Sequence, residues 1–197
     1  MIKIFVVEDD VDLNRFVSSS LRNVGYDVVS CFDGLEALEK MDEEKYEPFN
    51  LTEALAESVV EFETLIEKKN IELNCHFDDV RIFSSKSLLE IVWNNLISNA
   101  IKFTPSGGDI DIFLQCKDKD VEIQVADTGV GMTSEVGEKI FEKFYQGDTS
   151  HSTQGNGLGL ALVKKVIDIL GGEIAVQSEL NKGSTFTILL KDVVYEI

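Results

Sequence analysis

The sequence predicts an α/β fold, a two-layer sandwich of a mixed β-sheet with helices on one face, preceded by a short β-α-β-α segment. Runs that alternate apolar and polar, such as Glu122-Ile-Gln-Val-Ala126, give strands, and runs with apolar residues at helical spacing, such as Leu88, Ile91, Val92 and Leu96, give helices. Glycine pairs at Gly107-Gly108 and Gly171-Gly172 punctuate them. The 197 residues suffice for one full domain plus a fragment of another.

Taken in order, residues 2–7 read as a buried strand followed by the acidic turn Glu8-Asp9-Asp10. Residues 12–24 read as a helix stopped by Gly25, residues 26–31 as a second strand, and residues 34–41 start another helix. Residues 1–41 therefore form one unit and residues 42–197 another. In the second unit Asn50 caps a helix over 51–69, with Leu55, Val59, Phe62 and Ile66 inward. Strands follow at 71–77 and 80–83, then a helix at 85–103. Strands 109–116 and 121–126 are joined by the hairpin turn Asp118-Lys-Asp120. Residues 135–145 read as helical, as does the run from Leu160 to Leu170. Strands 173–178 and 184–190 finish the sheet around Asn181-Lys-Gly183.

Acidic residues outnumber basic ones 36 to 18, for a formal net charge of −18. That charge disfavours nucleic acid and anionic membrane surfaces as primary partners. No apolar run approaches the roughly 20 residues of a membrane span. The opening apolar residues reach Glu8-Asp9-Asp10 at once, so no signal peptide is expected. Cys31, Cys75 and Cys116 lie far apart and fit neither a disulfide framework nor a zinc site, which points to a reducing, cytoplasmic location. There is no internal repeat.

Chemistry concentrates between Asp127 and Gly159. Asp127-Thr-Gly-Val-Gly131-Met132 ends a strand, where a carboxylate can accept a hydrogen bond from an amino group and Gly129 and Gly131 leave room for a flat ring beside the backbone. Gly155-Asn-Gly157-Leu-Gly159 runs into a helix, whose free amides and dipole favour phosphate oxygens. A polar loop lies between the two. Either glycine turn alone is as well explained as a change of chain direction. Upstream, Asn95, Asn99 and Lys102 fall at i, i+4 and i+7 on one helix face. An amide oxygen can ligate Mg²⁺, and a Lys one turn on can reach a phosphate, although a solvated stripe is the commoner fate of such residues.

These stretches resemble, in order, the motifs of the ATP-binding catalytic domain of sensor histidine kinases, in the gyrase, Hsp90 and MutL superfamily. Asn95-Leu-Ile-Ser-Asn99-Ala-Ile-Lys-Phe-Thr-Pro resembles the N box and Asp127-Thr-Gly-Val-Gly-Met the G1 box. Ile140-Phe-Glu-Lys-Phe144-Tyr-Gln146 resembles the F box and Gly155-Asn-Gly-Leu-Gly-Leu-Ala-Leu-Val-Lys the G2 box, with Gly183-Ser-Thr185-Phe-Thr closing the set. The resemblance covers about residues 49–190 and implies the Bergerat ATP-binding fold. It implies that Asp127 binds adenine with Gly129, Gly131 and Thr185 nearby, and that Phe103 lies against the ring. It also implies that Asn99 ligates Mg²⁺, Asn95 supports it and Lys102 touches a phosphate, while Gly155, Gly157 and Gly159 let a lid close. Lys143 and Gln146 stand where many members carry Arg, and Arg forks stabilise transferring phosphoryl charge better than Lys. Asn95 stands where gyrase-like ATPases place a general-base Glu, so fast hydrolysis of ATP is not expected.

Residues 1–41 resemble the opening β-α-β-α portion of a two-component receiver domain, with Asp9 and Asp10 at its Mg²⁺-binding acidic pair. The phospho-accepting Asp is absent, so phosphorylation in that family's way is not expected. The free edge of the first strand is expected to pair with another copy, giving a homo-oligomer, or to pack on the kinase-like domain. His76 reads as structural and His151 as a solvated lid residue, and neither matches an acceptor motif. The resemblance thus implies donation of the γ-phosphate of Mg-ATP to a His on a separate dimerisation domain, with that domain or a response regulator as partner. The alternative is a non-catalytic nucleotide- or partner-binding fusion module. A stand-alone Ser/Thr kinase of the anti-sigma-factor type is disfavoured by the F box. A Rossmann reading fails because its glycines should directly follow a strand.

Overall fold

The computed structural model describes residues 3–34, 36–37, 40, 46–142, 145 and 157–195. The chain forms two compact units, Met1–Lys45 and Tyr46–Ile197.

In the first unit, β1 (Lys3–Val7) and β2 (Asp27–Cys31) pair in parallel through α1 (Val11–Asn23), with Phe5 opposite Val29. Asp10 caps α1, its carboxylate accepting the amides of Asp12 and Leu13 at 3.0 and 2.8 Å. Gly25, at φ +96°, turns the chain out of the helix. A buried polar group ties the unit together beside the buried Val6 and Val28. Fully buried Asn14 donates through Nδ2 to the carbonyls of Glu8 (3.0 Å) and Cys31 (2.6 Å), while its Oδ1 accepts from Ser18 and Ser30. Of the helix expected at 34–41, residues 35, 38, 39 and 41 lie outside the described residues.

In the second unit a five-stranded mixed sheet runs β4-β6-β7-β9-β8. Its strands are β4 (Glu72–Phe77), β6 (Asp109–Lys117), β7 (Asp120–Asp127), β8 (Glu173–Glu179) and β9 (Gly183–Leu190). β4 joins β6 in parallel and every other pair is antiparallel. The expected alternation holds. Ile110, Ile112, Leu114, Val121, Ile123, Val125, Phe186, Ile188 and Leu190 are all buried on the face that meets the helices. Those helices are α2 (Leu51–Glu61), α3 (Glu63–Lys69), α4 (Lys86–Phe103), α5 (Ser134–Gly137) and α6 (Gly159–Ile169). The result is the α/β two-layer architecture expected. At its centre Trp93 is fully buried, with its indole N–H donating to Ser58 Oγ at 2.8 Å. Among the described residues no helix is long and apolar enough to cross a membrane. All three cysteines are free thiols.

Three local readings are corrected. The helix expected over 51–69 is broken at Phe62, whose amide bonds back three residues to Val59 O at 3.1 Å, ending α2 in a tight turn from which α3 restarts. The helix expected over 135–145 shrinks to α5: Gly137 ends it, and the described residues beyond it form turns. An unexpected strand, β3 (Glu47–Asn50), pairs antiparallel with β5 (Arg81–Ser84), and Val194 bridges to Ile82. Pro48 within a four-residue run hid it from pattern reading.

Asn50 caps α2, its Oδ1 accepting the Glu53 amide at 3.1 Å. Asn50→Ala is expected to lower the stability of the second unit by about 1 kcal/mol. Urea unfolding followed by the fluorescence of Trp93, the single tryptophan, checks this.

Candidate functional site

The inward apolar period of three neighbouring strands ends in polar residues at one end of the sheet. On β7 the row Val121, Ile123, Val125 ends in Asp127; on β9 the row Leu190, Ile188, Phe186 ends in Ser184; on β8 the row Ile174, Val176 ends in Ser178. Register places Asp127 opposite Ser184 and Ser184 opposite Ser178. An open cleft of about 320 Å³ is lined there by Asp127, Ser178, Lys182, Ser184 and Thr185, among others. Thr185 itself stands opposite Ala126, one position from the Asp127 row.

Burial pushes the Asp127 carboxyl above its ordinary range, opposed by hydrogen bonds from the amides of Gly129 and Ser184. The Gly129 amide donates at 2.8 Å. A Cβ on Gly129 would fall 2.6 Å from Asp127 Oδ1 and 2.7 Å from the carbonyl oxygen of Phe103. Gly131 adopts φ +61° and Gly183 φ +107°; a Cβ on the first would collide with Glu179 O and on the second with Asp127 O. Around them Val130 O accepts from the Asn181 amide at 2.7 Å, and Ser178 Oγ accepts from the Met132 amide at 2.8 Å while donating to Gly183 O at 2.9 Å. Backbone packing therefore fixes the turns that border the cleft, and the side chains of Asp127, Lys182 and Thr185 complete its lining. Ser178 and Ser184 were not anticipated as site residues. Their signal in the sequence is a polar residue where an inward apolar period should continue.

The last turn of α4 flanks this wall. Phe103 is 40% exposed, and its carbonyl accepts the Val130 amide at 3.3 Å. Lys102 Nζ lies 4.9 Å from the centre of the Phe103 ring, a cation–π contact. Asn95 and Asn99 are half-buried on α4, one turn apart, as the spacing predicts. Asn95 Nδ2 donates to Ile91 O at 2.7 Å, and a Cβ on Gly159 would sit 2.7 Å from Asn95 Oδ1. The missing side chain at Gly159 thus lets the start of α6 lie against α4. Gly157, at φ +67°, precedes it. Lys143, Gly155, Gln146 and His151 lie outside the described residues. His76 is exposed on the open face of the sheet and stacks on Phe113 at 4.9 Å, away from the cleft.

The glycines beside Asp127 let main chain pack closely around its carboxylate, which leaves that carboxylate at the edge of an open cleft as an acceptor for a donor on a flat heterocycle. The amide oxygens of Asn95 and Asn99, with the Lys102 ammonium, form a donor set suited to a hard cation and phosphate.

Residues 84–193 match the family model described as histidine kinase-, DNA gyrase B- and HSP90-like ATPase. The autoinducer 2 sensor kinase/phosphatase LuxQ of Vibrio parahaemolyticus is 29% identical over 184 residues, covering 86% of this chain and 21% of LuxQ. The heme sensor protein HssS of Staphylococcus saprophyticus is 36% identical over 126 residues, covering 64% of this chain and 27% of HssS. The chain thus spans about a quarter of these relatives' lengths. Among solved structures, the nucleotide-free catalytic domain of histidine kinase ThkA aligns with TM-score 0.68 and 32% identity, covering 75% of this chain and 96% of that one. ThkA in complex with the response regulator TrrA aligns with TM-score 0.63 and 25% identity, covering 94% of this chain and 53% of that one.

The raised Asp127 carboxyl has a consequence for stability. Between the ordinary carboxylate pKa and its raised folded value, the folded chain binds more protons than the unfolded one, so this group's contribution falls as pH rises through that window. Asp127→Asn keeps the acceptor for Gly129 and removes the charge. It is expected to flatten that fall and to melt no lower than the parent near neutral pH, as read by scanning calorimetry across pH. A lower melting temperature would show that the ionised carboxylate stabilises the fold.

Proposed function

The chain belongs to the histidine kinase-, DNA gyrase B- and HSP90-like ATPase family, and we propose that it binds Mg-ATP as the catalytic domain of a two-component sensor histidine kinase. The observation that carries this reading is Asp127, half-buried at the end of β7 with glycine backbone on one side and Ser184 on the other.

Asp127 accepts the adenine amino group, with Gly129 and Gly131 in the turn beside the ring. Phe103 lies against that ring, and Thr185 lies nearby. Lys102 leaves the Phe103 ring to meet a phosphate. Asn99 holds Mg²⁺ through its amide oxygen, with Asn95 in support. When bound, Mg²⁺ neutralises charge on the phosphates. By the family resemblance, Gly155, Gly157 and Gly159 belong to the motif that borders the phosphates, and Lys143 would supply a point charge to the transferring phosphoryl group.

The acceptor is a His on a separate dimerisation domain. Support for such a partner, or for a response regulator, comes from the likeness to kinases, one of them solved with its response regulator. The first unit is the opening of a receiver domain, a reading supported by the parallel β1-α1-β2 arrangement. Among the described residues β1 pairs only with β2, and its other edge takes a second copy of the chain. Sedimentation of the intact chain tests that pairing, and a monomer at micromolar concentration refutes it.

Calorimetric titration of Mg-ATP tests the nucleotide reading. The intact chain is expected to bind only with Mg²⁺ present, and Asp127→Asn and Asn99→Ala each to weaken binding by about tenfold or more. Absence of binding to the folded chain overturns it. Phosphotransfer to an added His-containing helical domain then separates a kinase from a binding module.

A further inference from the structure

Lys69 belongs to none of the motifs that resemble the family, yet it reaches the candidate site. It is the last residue of α3, and its ammonium donates to three carbonyls at the end of α4: Ile101 at 2.6 Å, Lys102 at 3.0 Å and Thr104 at 2.8 Å. Its own carbonyl accepts the Gly107 amide at 3.0 Å, so both ends of one residue hold the chain as it leaves α4. The last carbonyls of a helix have no partner within it, and a cation there also complements the negative end of the dipole. Lys102 and Phe103 ride on this turn, and the Phe103 carbonyl bonds the Val130 amide in the turn that follows Asp127. One cation thereby ties α3 to α4, and through Phe103 the end of α4 is tied to the wall of the cleft.

We infer that Lys69 is a positioning residue for the nucleotide site, holding the last turn of α4 so that Lys102 and Phe103 meet the phosphate and the ring. Its effect on binding rests on the ATP reading above; its effect on the Val130 contact does not. Small displacements of groups that orient a ligand carry large losses.

The test compares the intact chain with Lys69→Met, Lys69→Arg and, as a control, Lys86→Met. Lys86 lies in the first turn of α4, at the opposite end from the carbonyls that Lys69 holds, and pairs with Glu57 at the surface. Amide hydrogen exchange is followed by NMR without nucleotide, and Mg-ATP affinity by calorimetry. Lys69→Met is expected to speed exchange at the Val130 amide while Ile123 and Ile188 keep parental rates, and to weaken Mg-ATP by about tenfold. Lys69→Arg keeps donors and is expected to restore both, and Lys86→Met to change neither.

Parental exchange at Val130 in Lys69→Met overturns the inference. So does acceleration shared equally by Val130, Ile123 and Ile188, which would make Lys69 a general stabiliser. Should Lys69→Met fail to fold, Lys69→Gln, with one amide donor group, takes its place under the same criteria. If the intact chain binds no Mg-ATP, the ATP reading fails and exchange at Val130 alone decides the role of Lys69.

Discussion

Backbone meets backbone where the turn after β7 lies against the turn between β8 and β9, and only glycine permits it. At Gly131 and Gly183 any Cβ would strike the facing carbonyl, and both residues sit at positive φ. This contact sets the distance between the end of β7 and the β8–β9 turn, and with it the depth of the cleft. Asp127 inherits its position from that geometry. Its amide hydrogen bonds come from Gly129 in the first of these turns and from Ser184 at the start of β9. Turns held by main-chain packing need little reordering when a ligand enters, so less entropy opposes binding.

The same arrangement explains why the carboxylate sits at an electrostatic disadvantage without a ligand. Asp127 continues the inward row of Val121, Ile123 and Val125, so the strand carries it to the edge of the apolar layer. Desolvation outweighs the two amide hydrogen bonds, which is why its carboxyl holds the proton more tightly than usual. A donor arriving from a ligand would reverse that balance. Strain of this kind, local and electrostatic, marks binding surfaces more often than structural ones.

Much of this was legible in the sequence, because strand alternation, glycine turns and helix spacing are local signals. Strands β6, β7 and β9 and helix α4 fall within a residue or two of the expected places, and Asn50 caps α2 as read. The turn after Asp127 follows its strand as expected, and Asn95, Asn99 and Lys102 lie on one helix as their spacing predicts. What escaped depends on partners distant in the chain. β3 exists through β5, about thirty residues later by the register of Phe49 with Ile82. The break at Phe62 arises although the helical apolar period continues through it. Lys69 shows nothing in its neighbourhood that foretells carbonyls at 101, 102 and 104. Ser178 and Ser184 were visible only as interruptions of an apolar period, a signal that gains meaning once register aligns them.

The pairing around β5 has a mechanical consequence. Glu47–Asn50 and Val194 both engage that strand, with Phe49 and Val194 each facing Ile82. Segments from the opening and the close of the second unit therefore flank the same strand, one on each edge. The same closing segment bonds the hairpin between β6 and β7, the amides of Val193 and Val194 both donating to Lys119 O at 3.0 and 3.1 Å, so a load on β3 passes through β5 and this segment into the five-stranded sheet.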